Sequence, residues 1–227
     1  MRKLLTALSA ALLLAGCDLT NSVTYTGLEA GTIGSSVFTT DDGVKMNVVG
    51  NDGKYDVSTS RRVLVNYESH PVTTPDVLDI DVLGLWDAYV VSPTSASLVP
   101  EDAVDTPVRI TDAWFNAGYL NILATVAGKE KDGHVFSVAY TATTERITLR
   151  LYHDGTADTS GNSTQSFFIS VRMDDPVVSY EQNWLAVGKE PVYPAPVLLQ
   201  WTWYALDESG PVTLYERNGS YTPRTTD

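Results

Sequence analysis

Apolar and polar residues alternate along most of this chain, a pattern typical of half-buried β-strands. In the clearest example, Leu78, Ile80 and Val82 alternate with Asp79 and Asp81. Beyond the N-terminal region, no segment keeps an apolar period of about 3.6 residues long enough to predict a regular helix. The pattern therefore predicts an all-β protein.

The predicted strands fall into two groups, and the first, in residues 25–100, fits a small barrel. The turn Asp41-Asp42-Gly43 joins two of its strands, and a later strand places Val63, Val65 and Tyr67 on one face. A handful of short strands with one strongly curved hairpin is typical of an OB-like barrel. We therefore expect an N-terminal OB-like β-barrel domain.

The second group, in residues 101–227, predicts a C-terminal antiparallel β-sandwich. A turn-rich and acidic stretch that ends at Pro107 separates the two groups. The core positions predicted for the second group alternate along each strand: Leu120, Ile122, Ala124, Val126, Phe136, Val138, Tyr140, Ile147, Leu149, Leu151, Phe167, Ile169, Val171 and Met173. Residues 174–196 are rich in proline and predict a long irregular connection, with at most one helical turn in residues 182–186.

Residues 1–17 predict a lipoprotein signal peptide. The basic pair Arg2-Lys3 precedes an apolar run, which ends at Leu14-Ala15-Gly16-Cys17. A basic start, an apolar centre and small residues before the cleavage point are typical of a secretory signal. A cysteine directly after Ala-Gly indicates that Cys17 is lipidated and becomes the first residue of the mature chain. An ordinary secretory signal with a chance cysteine is the alternative.

Lipidation would anchor the protein to a membrane of the bacterial cell envelope, and we favour the outer membrane. Two or more acyl chains hold a protein stably at a bilayer, and residues 18–24 are polar enough to act as a tether. Asp18 follows the cysteine without a further acidic run, which leaves the periplasmic or surface-facing side open. Because Cys17 is the only cysteine, its lipidation leaves no disulfide and no thiol chemistry.

The charge of the chain bears on its partners. Removal of Arg2 and Lys3 with the signal peptide changes the net charge from −13 to −15. Such a chain repels phosphate backbones, so we expect no nucleic-acid partner. Solubility outside the cytoplasm is the simplest explanation of this acidity.

No motif predicts catalysis, a cofactor or a metal. The three histidines, His70, His134 and His153, lack zinc-ligand spacing, and the chain has no G-x-S-x-G nucleophile turn. We expect them to be exposed or satisfied, with His70 and His134 in loops. Residues 154–162 resemble the start of a calcium loop, but Gln165 stands where the bidentate glutamate is needed, so a polar hairpin loop is favoured.

Five tryptophans offer the main binding hypothesis. Trp86 and Trp184 lie outside clear strands, and we predict them as possible ligand contacts. Trp201 and Trp203 share a face with apolar residues and are predicted to be core, although a sugar-stacking platform with Tyr204 is the alternative reading of the same strand.

Several segments resemble NigD-like lipoproteins when taken in order along the mature chain. In addition to the cysteine motif they are Phe38 to Gly43, Arg62 to Tyr67, Asp105 to Ile110, Trp114, Gly118 to Ile122, Leu149 to Asp154 and Ser166-Phe167. The resemblance implies an N-terminal OB-like domain, a C-terminal β-sandwich and a Bacteroides-type envelope. It implies no catalytic residues, because the family has none that are agreed.

Together these observations predict a non-catalytic cell-envelope lipoprotein that binds a partner. The membrane is one partner, through Cys17; the other is an envelope or extracellular protein, or a glycan. The family resemblance adds a bacteriocin-associated or immunity-like role. The alternative is a glycan-binding surface module for nutrient capture. No enzyme activity is expected.

Overall fold

The computed structural model describes residues 24–70, 78–158, 163–206 and 209–223. The predicted signal peptide and Cys17 therefore lie outside the described residues. The strands are β1 (Thr26–Gly34), β2 (Val37–Thr40), β3 (Lys45–Gly50), β4 (Arg61–Ser69), β5 (Leu78–Val91), β6 (Thr94–Ser95), β7 (Arg109–Asn116), β8 (Tyr119–Ala127), β9 (Val135–Ala142), β10 (Ile147–Asp154), β11 (Thr164–Arg172), β12 (Ala195–Leu206) and β13 (Ser209–Tyr221), and helix α1 spans Asp174–Ala186. The predicted all-β class is confirmed.

Strands β1 to β5 form a closed barrel. The antiparallel order β3-β2-β1-β4-β5 closes because β3 also pairs with β5, in parallel. This strand order is that of an OB barrel. The barrel core includes Ile33, Phe38, Val63 and Ile80, all fully buried. Gly31 lets β1 approach β2, since a Cβ atom there would clash with the carbonyl oxygen of Thr39.

Strand β5 belongs to both domains. Its first part pairs with β4 of the barrel, and residues 88–91 pair in parallel with residues 168–171 of β11. The short strand β6 then pairs with β9 of the sandwich. The chain thus enters the sandwich within β5, ahead of the boundary predicted at residue 100. That prediction relied on a break in the apolar pattern, and a strand shared by two domains has no such break.

The sandwich packs the sheet β5-β11-β8-β7 against the sheet β13-β12-β10-β9-β6. Its core contains the predicted alternating residues of β8, β10 and β11, among them Ile122, Leu149 and Ile169, each fully buried. The sandwich is mixed and not purely antiparallel, because β5–β11, β10–β12 and β6–β9 are parallel pairs. Parallel neighbours need a crossover connection, and β11 with α1 supplies it between β10 and β12.

Helix α1 replaces the irregular connection predicted for its residues, and that prediction is wrong. Val177 and Tyr180 are buried and Trp184 is partly buried against the core, at helical spacings of three and four residues. Pro176 lies in the first turn, where a proline leaves no helical hydrogen bond unmade. Asn183 ties the helix to β9 by donating to the carbonyl oxygen of Ala142 at 3.1 Å.

Candidate binding cleft

The outer wall of the barrel faces the outer face of the sandwich sheet, and Arg62 joins the two. Arg62 projects outward from β4, and its two terminal nitrogens donate to the two carboxylate oxygens of Asp41 at 2.7 and 2.8 Å. The side chains are only 9% and 5% exposed. A buried, bidentate arginine–carboxylate pair has a fixed geometry.

The same guanidinium group reaches three residues of the sandwich sheet. It donates to Ser170 Oγ and to Asn121 Oδ1, each at 2.9 Å, and it lies over the Tyr119 ring at 4.0 Å from the centroid. A further hydrogen bond joins Ser170 to Asn121 at 2.9 Å. We call Asp41, Arg62, Tyr119, Asn121 and Ser170 the interdomain clamp. Four of its five residues lie in segments that carry the family resemblance, which gives those segments a structural role.

An apolar contact lies beside the clamp. Ala30 and Leu64 of the barrel are buried against Phe168 of the sandwich sheet. The indole of Trp114 stacks on the Phe168 ring, with centroids 6.2 Å apart, and Leu123 packs against the same cluster. Apolar contact and clamp together hold the two domains in one relative position.

The contact does not close completely, and its open end forms a cleft of about 230 Å³. We call it the interdomain cleft. It is lined by Leu28, Leu64, Trp86, Thr111, Leu123, Ala124, Thr125, Ser166, Phe167 and Phe168. Leu28 remains 54% exposed and Trp86 37% exposed. The cleft is therefore apolar in its walls and edged by three hydroxyl side chains.

Trp86, one of the two predicted ligand contacts, lies in this cleft. Its ring lies over Gly84, where a Cβ atom would fall 2.7 Å from the indole. The glycine thus leaves the space that holds the indole against the barrel wall, beside Leu64 of the neighbouring strand. A half-exposed tryptophan held in one orientation is suited to anchoring a partner. Ligand contact by Trp86 stays a prediction.

Trp184, the other predicted contact, is placed differently. It packs on helix α1 against the sandwich core, with its ring edge-on to Tyr180 at 6.3 Å. Its indole nitrogen is inaccessible to solvent and has no hydrogen-bond partner among the described residues. Trp184 thus packs against the sandwich core and does not line the cleft, and ligand contact by Trp184 stays a prediction. Trp201, predicted to be core, packs against the sandwich core and stacks on Tyr215 at 5.9 Å.

Two of the histidines form a buried cluster, and His134, which directly precedes β9, lies in a loop as predicted. His134 and His153 are 3% and 2% exposed, and His134 Nδ1 lies 3.0 Å from His153 Nε2. Burial, followed by the neighbouring His134, lowers the pKa of His153 to about 4. The third, His70, is half-exposed and lies 2.9 Å from Asp81. Alternation along β10 places His153 on the buried face of Leu149 and Leu151, a signal that could have revealed its burial.

Of the calcium-like segment, residues 154–158 are described and residues 159–162 lie outside the described residues; both carboxylates of the described part accept hydrogen bonds. Asp154 accepts from the backbone and hydroxyl of Thr156, and Asp158 accepts from the backbone N–H groups of Lys129 and Glu130. Across the described ranges, no three histidine, cysteine, aspartate or glutamate side chains are grouped to hold a metal ion. The structure thus brings Trp86 into a cleft and brings His134 and His153 together, and no spacing along the chain predicts either arrangement.

Comparisons with known proteins agree with this architecture. Residues 92–182 match the family model of the NigD-like C-terminal beta sandwich domain. A NigD-like immunity protein from Bacteroides caccae has a similar structure, with a TM-score of 0.62 and 19% identity over 88% of this chain and 97% of that one. A Bacteroides vulgatus protein of unknown function, DUF1344, gives 0.58 and 13% identity over 89% and 92%.

A candidate lipoprotein from Bacteroides fragilis gives a TM-score of 0.59 and 10% identity, over 90% of this chain and 100% of that one. No curated protein matches the chain. Within the part of the chain that the structure describes, no helix is long and apolar enough to cross a membrane.

The fold and these matches define a class: a two-domain all-β protein with an OB-like barrel and a β-sandwich that share one strand. The predicted resemblance to NigD-like proteins is confirmed, because residues 92–182 match the family model of the NigD-like C-terminal beta sandwich domain.

Proposed function

We propose that this protein is a non-catalytic, lipid-anchored protein of a bacterial cell envelope, and that it binds a partner protein in the interdomain cleft. The observation that carries the proposal is the apolar cleft itself, with Trp86 and Leu28 exposed at its mouth. Support for the envelope setting comes from the cysteine motif at Cys17 and from the similarity to a candidate lipoprotein.

The cleft has the composition of a protein-binding site. Its centre is apolar and contains a tryptophan, while Thr111, Thr125 and Ser166 give the rim hydrogen-bonding groups. Protein interfaces commonly combine an apolar, aromatic centre with a polar rim, and tryptophan is enriched among the residues that contribute most binding energy. The interdomain clamp fixes both walls, so little ordering is needed when a partner binds.

The charge of the chain indicates the chemistry of the partner. With a net charge of −13, and −15 after loss of Arg2 and Lys3, the protein attracts a basic surface at long range. We therefore propose a basic partner that inserts an apolar side chain beside Trp86. The Bacteroides caccae neighbour is an immunity protein, and in an immunity-like role the partner would be a bacteriocin or a component of its locus.

The tether would keep this encounter close to the membrane. The predicted tether, residues 18–24, has seven residues and can span at most about 25 Å when fully extended. A lipid on Cys17 would therefore hold the barrel near the bilayer surface, where a short reach raises the effective concentration of a partner in the same membrane. Protease treatment of intact cells, with a periplasmic protein as control, would decide which side of the outer membrane the protein occupies.

The cleft proposal is tested by site-specific photo-crosslinking in cells that make the full chain. A photoreactive residue is placed at Thr111, which is exposed on the cleft rim, and in a matched strain at Leu185, which is 60% exposed on α1. We expect a discrete protein adduct from position 111 only, lost when Trp86→Ala is added. Equal adducts at both positions, or an adduct unaffected by Trp86→Ala, would contradict cleft binding.

Glycan capture is the second candidate, and one observation favours it. Two aromatic residues, Trp203 and Tyr204, line a separate cavity of about 250 Å³ near the end of β12. Aromatic rings at a cavity wall are suited to stacking on sugars. Binding of soluble oligosaccharides that is lost in Trp203→Ala but kept in Trp86→Ala would favour this candidate over the cleft.

A further inference from the structure

Strand β13 is an unpaired edge of the second sandwich sheet. It spans Ser209–Tyr221 and pairs with β12 on one side, and none of the other described strands pairs with it. Its residues 210–220 are all exposed except Tyr215, which is half-buried. In an edge strand every second residue directs its backbone N–H and C=O groups away from the sheet. The free side of β13 therefore presents a row of backbone hydrogen-bonding groups.

The β13 edge has little of the protection that natural edge strands usually carry. Edges are commonly protected by bulges, prolines or several charged side chains. Residues 212–221 pair with β12 without a shift of register, include no proline, and carry only two charged residues, Glu216 and Arg217. Strand β7, the edge of the facing sheet, is irregular, with a register shift between Ile110 and Asp112. Of these two edges, β13 is thus the one suited to pairing with a further strand.

The sandwich core is not sealed beside this edge. In the pairing with β12, Arg217 is opposite the buried Leu199 and so faces the core. Gly219, opposite the buried Val197, faces the core as well. Glycine has no side chain, and the Arg217 side chain is 42% exposed and reaches Asp112 of β7 at 3.5 Å. Two inward positions of β13 therefore carry no apolar side chain to cover the core.

The unsealed part of the core is a cavity of about 160 Å³ between β13 and β7, which we call the edge seam. Ala113 and Phe115 of β7 line it on one side, and Val197 and Leu199 of β12 line it on the other. An apolar cavity of about 150 Å³ can hold a benzene-sized group. The edge seam therefore has room for one aliphatic or aromatic side chain, directly beside the unpaired backbone of β13.

We propose that the β13 edge binds an extended segment of a partner protein as an added strand, and that this segment inserts one apolar side chain into the edge seam. In strand addition, backbone hydrogen bonds supply affinity and pockets for individual side chains supply specificity. The unpaired edge provides the first of these, and the edge seam provides the second.

The charge of the chain selects the occupant. With a net charge of −15 after loss of Arg2 and Lys3, the protein attracts a segment with basic residues and repels a second copy of itself. The occupant is therefore a basic segment of another protein. The edge seam and the interdomain cleft have no lining residue in common, so this inference does not rest on the proposed function.

The test is a selection from a random linear peptide library displayed on phage, with the full mature chain, made without lipid by Cys17→Ser, as the target. We expect peptides that carry basic residues and one apolar residue in a stretch without proline. Synthetic copies of these peptides are then measured against two variants that fill the edge seam from opposite sides. Gly219→Leu and Ala113→Leu should each weaken binding about tenfold or more.

The two variants support each other. An added Cβ at Gly219 would lie 3.0 Å from the ring of Phe115, so Gly219→Leu requires this ring to shift, whereas Ala113→Leu leaves β13 unchanged. Ser220→Leu is the matched control, because Ser220 is exposed and alternation directs it away from the edge seam. Its affinity for the peptides should stay within about twofold of that of the original chain.

Amide hydrogen exchange then identifies the added strand itself. Only every second N–H of an edge strand faces a new neighbour, so alternate residues of 212–220 should gain protection about tenfold or more in the complex. Protection that does not alternate would overturn the proposal.

The selection itself can also overturn the proposal. Peptides that respond to Trp86→Ala but not to the seam variants bind the interdomain cleft. A selection that yields only such peptides, or none, overturns strand addition and leaves the proposed function standing. A dimer of the original chain that is lost in Gly219→Leu also overturns it, since a second copy would then be the occupant.

Discussion

Replacement of Arg62 by methionine should cost far more stability than the same change at its neighbour Arg61. Arg62 donates four hydrogen bonds, two to Asp41 and one each to Asn121 and Ser170. Its removal leaves the Asp41 carboxylate buried, 5% exposed, without its cation. Breaking a buried ion pair by removing one partner costs about 3–5 kcal/mol, because the remaining charge is uncompensated. We expect a loss in that range.

Arg61→Met provides the control on the adjacent residue. Arg61 pairs with Asp87 at 2.5 Å, but the Asp87 side chain is 66% exposed. Ion pairs that water can reach contribute about 0–1 kcal/mol. Urea unfolding of the two variants, with midpoint and slope compared, therefore separates a buried clamp from a surface pair at neighbouring positions of one strand.

A double variant tests the cause. Asp41→Asn with Arg62→Met removes the stranded charge, so it should be more stable than Arg62→Met alone by about 1 kcal/mol or more. If Arg62→Met costs less than about 1 kcal/mol, or if the double variant loses the sum of the two single losses, the clamp does not stabilise the domain contact in the way argued.

Three further outcomes are expected. Gly31→Ala should lower the free energy of unfolding in urea by about 2–3 kcal/mol, because the added Cβ clashes with backbone. In Gly43→Ala the added Cβ meets open space, and the loss should be only about 1 kcal/mol, for the left-handed backbone. Similar losses in the two variants would contradict the close approach of β1 and β2. His153 takes up its proton more readily in the unfolded chain, since its pKa falls from 6.5 to about 4 on folding. The free energy of unfolding of the original chain should therefore fall by about 3 kcal/mol between pH 6.5 and pH 4. In His153→Gln this fall should be smaller by about 3 kcal/mol, because the contribution of His153 is absent. Cys17→Ser should abolish incorporation of labelled fatty acid and move the protein from the detergent phase to the aqueous phase; retained label would contradict lipidation at this residue.

Alternation of apolar residues was sufficient to predict most of the sandwich core. Ile122, Leu149 and Ile169 were placed on inward faces by period alone, and all are fully buried. Such predictions succeed because a strand with one buried face must alternate, whatever its neighbours are. The barrel was predictable for the same reason, with the turn at Asp41 to Gly43 marking the hairpin of β2 and β3.

Features that depend on several distant segments were not predictable. The interdomain clamp gathers Arg62, Asp41, Asn121 and Ser170 from four elements, and no spacing along the chain encodes their meeting. The same applies to His134 and His153, which come from different strand ends. Helix α1 is another matter. Val177, Tyr180 and Trp184 have helical spacing, but this repeat is too short to predict a helix, and the prolines in residues 174–196 favoured an irregular connection.

The central claim is that Trp86 anchors a basic partner protein in the interdomain cleft. Its most direct test is the dissociation constant of the partner captured at position 111, measured with the original chain and with Trp86→Ala. Loss of a tryptophan that contributes about 2 kcal/mol or more should raise the dissociation constant about 30-fold, while Leu185→Ala, on the exposed face of α1, should leave it unchanged. A change below about twofold for Trp86→Ala would contradict the account, since the partner would then bind elsewhere.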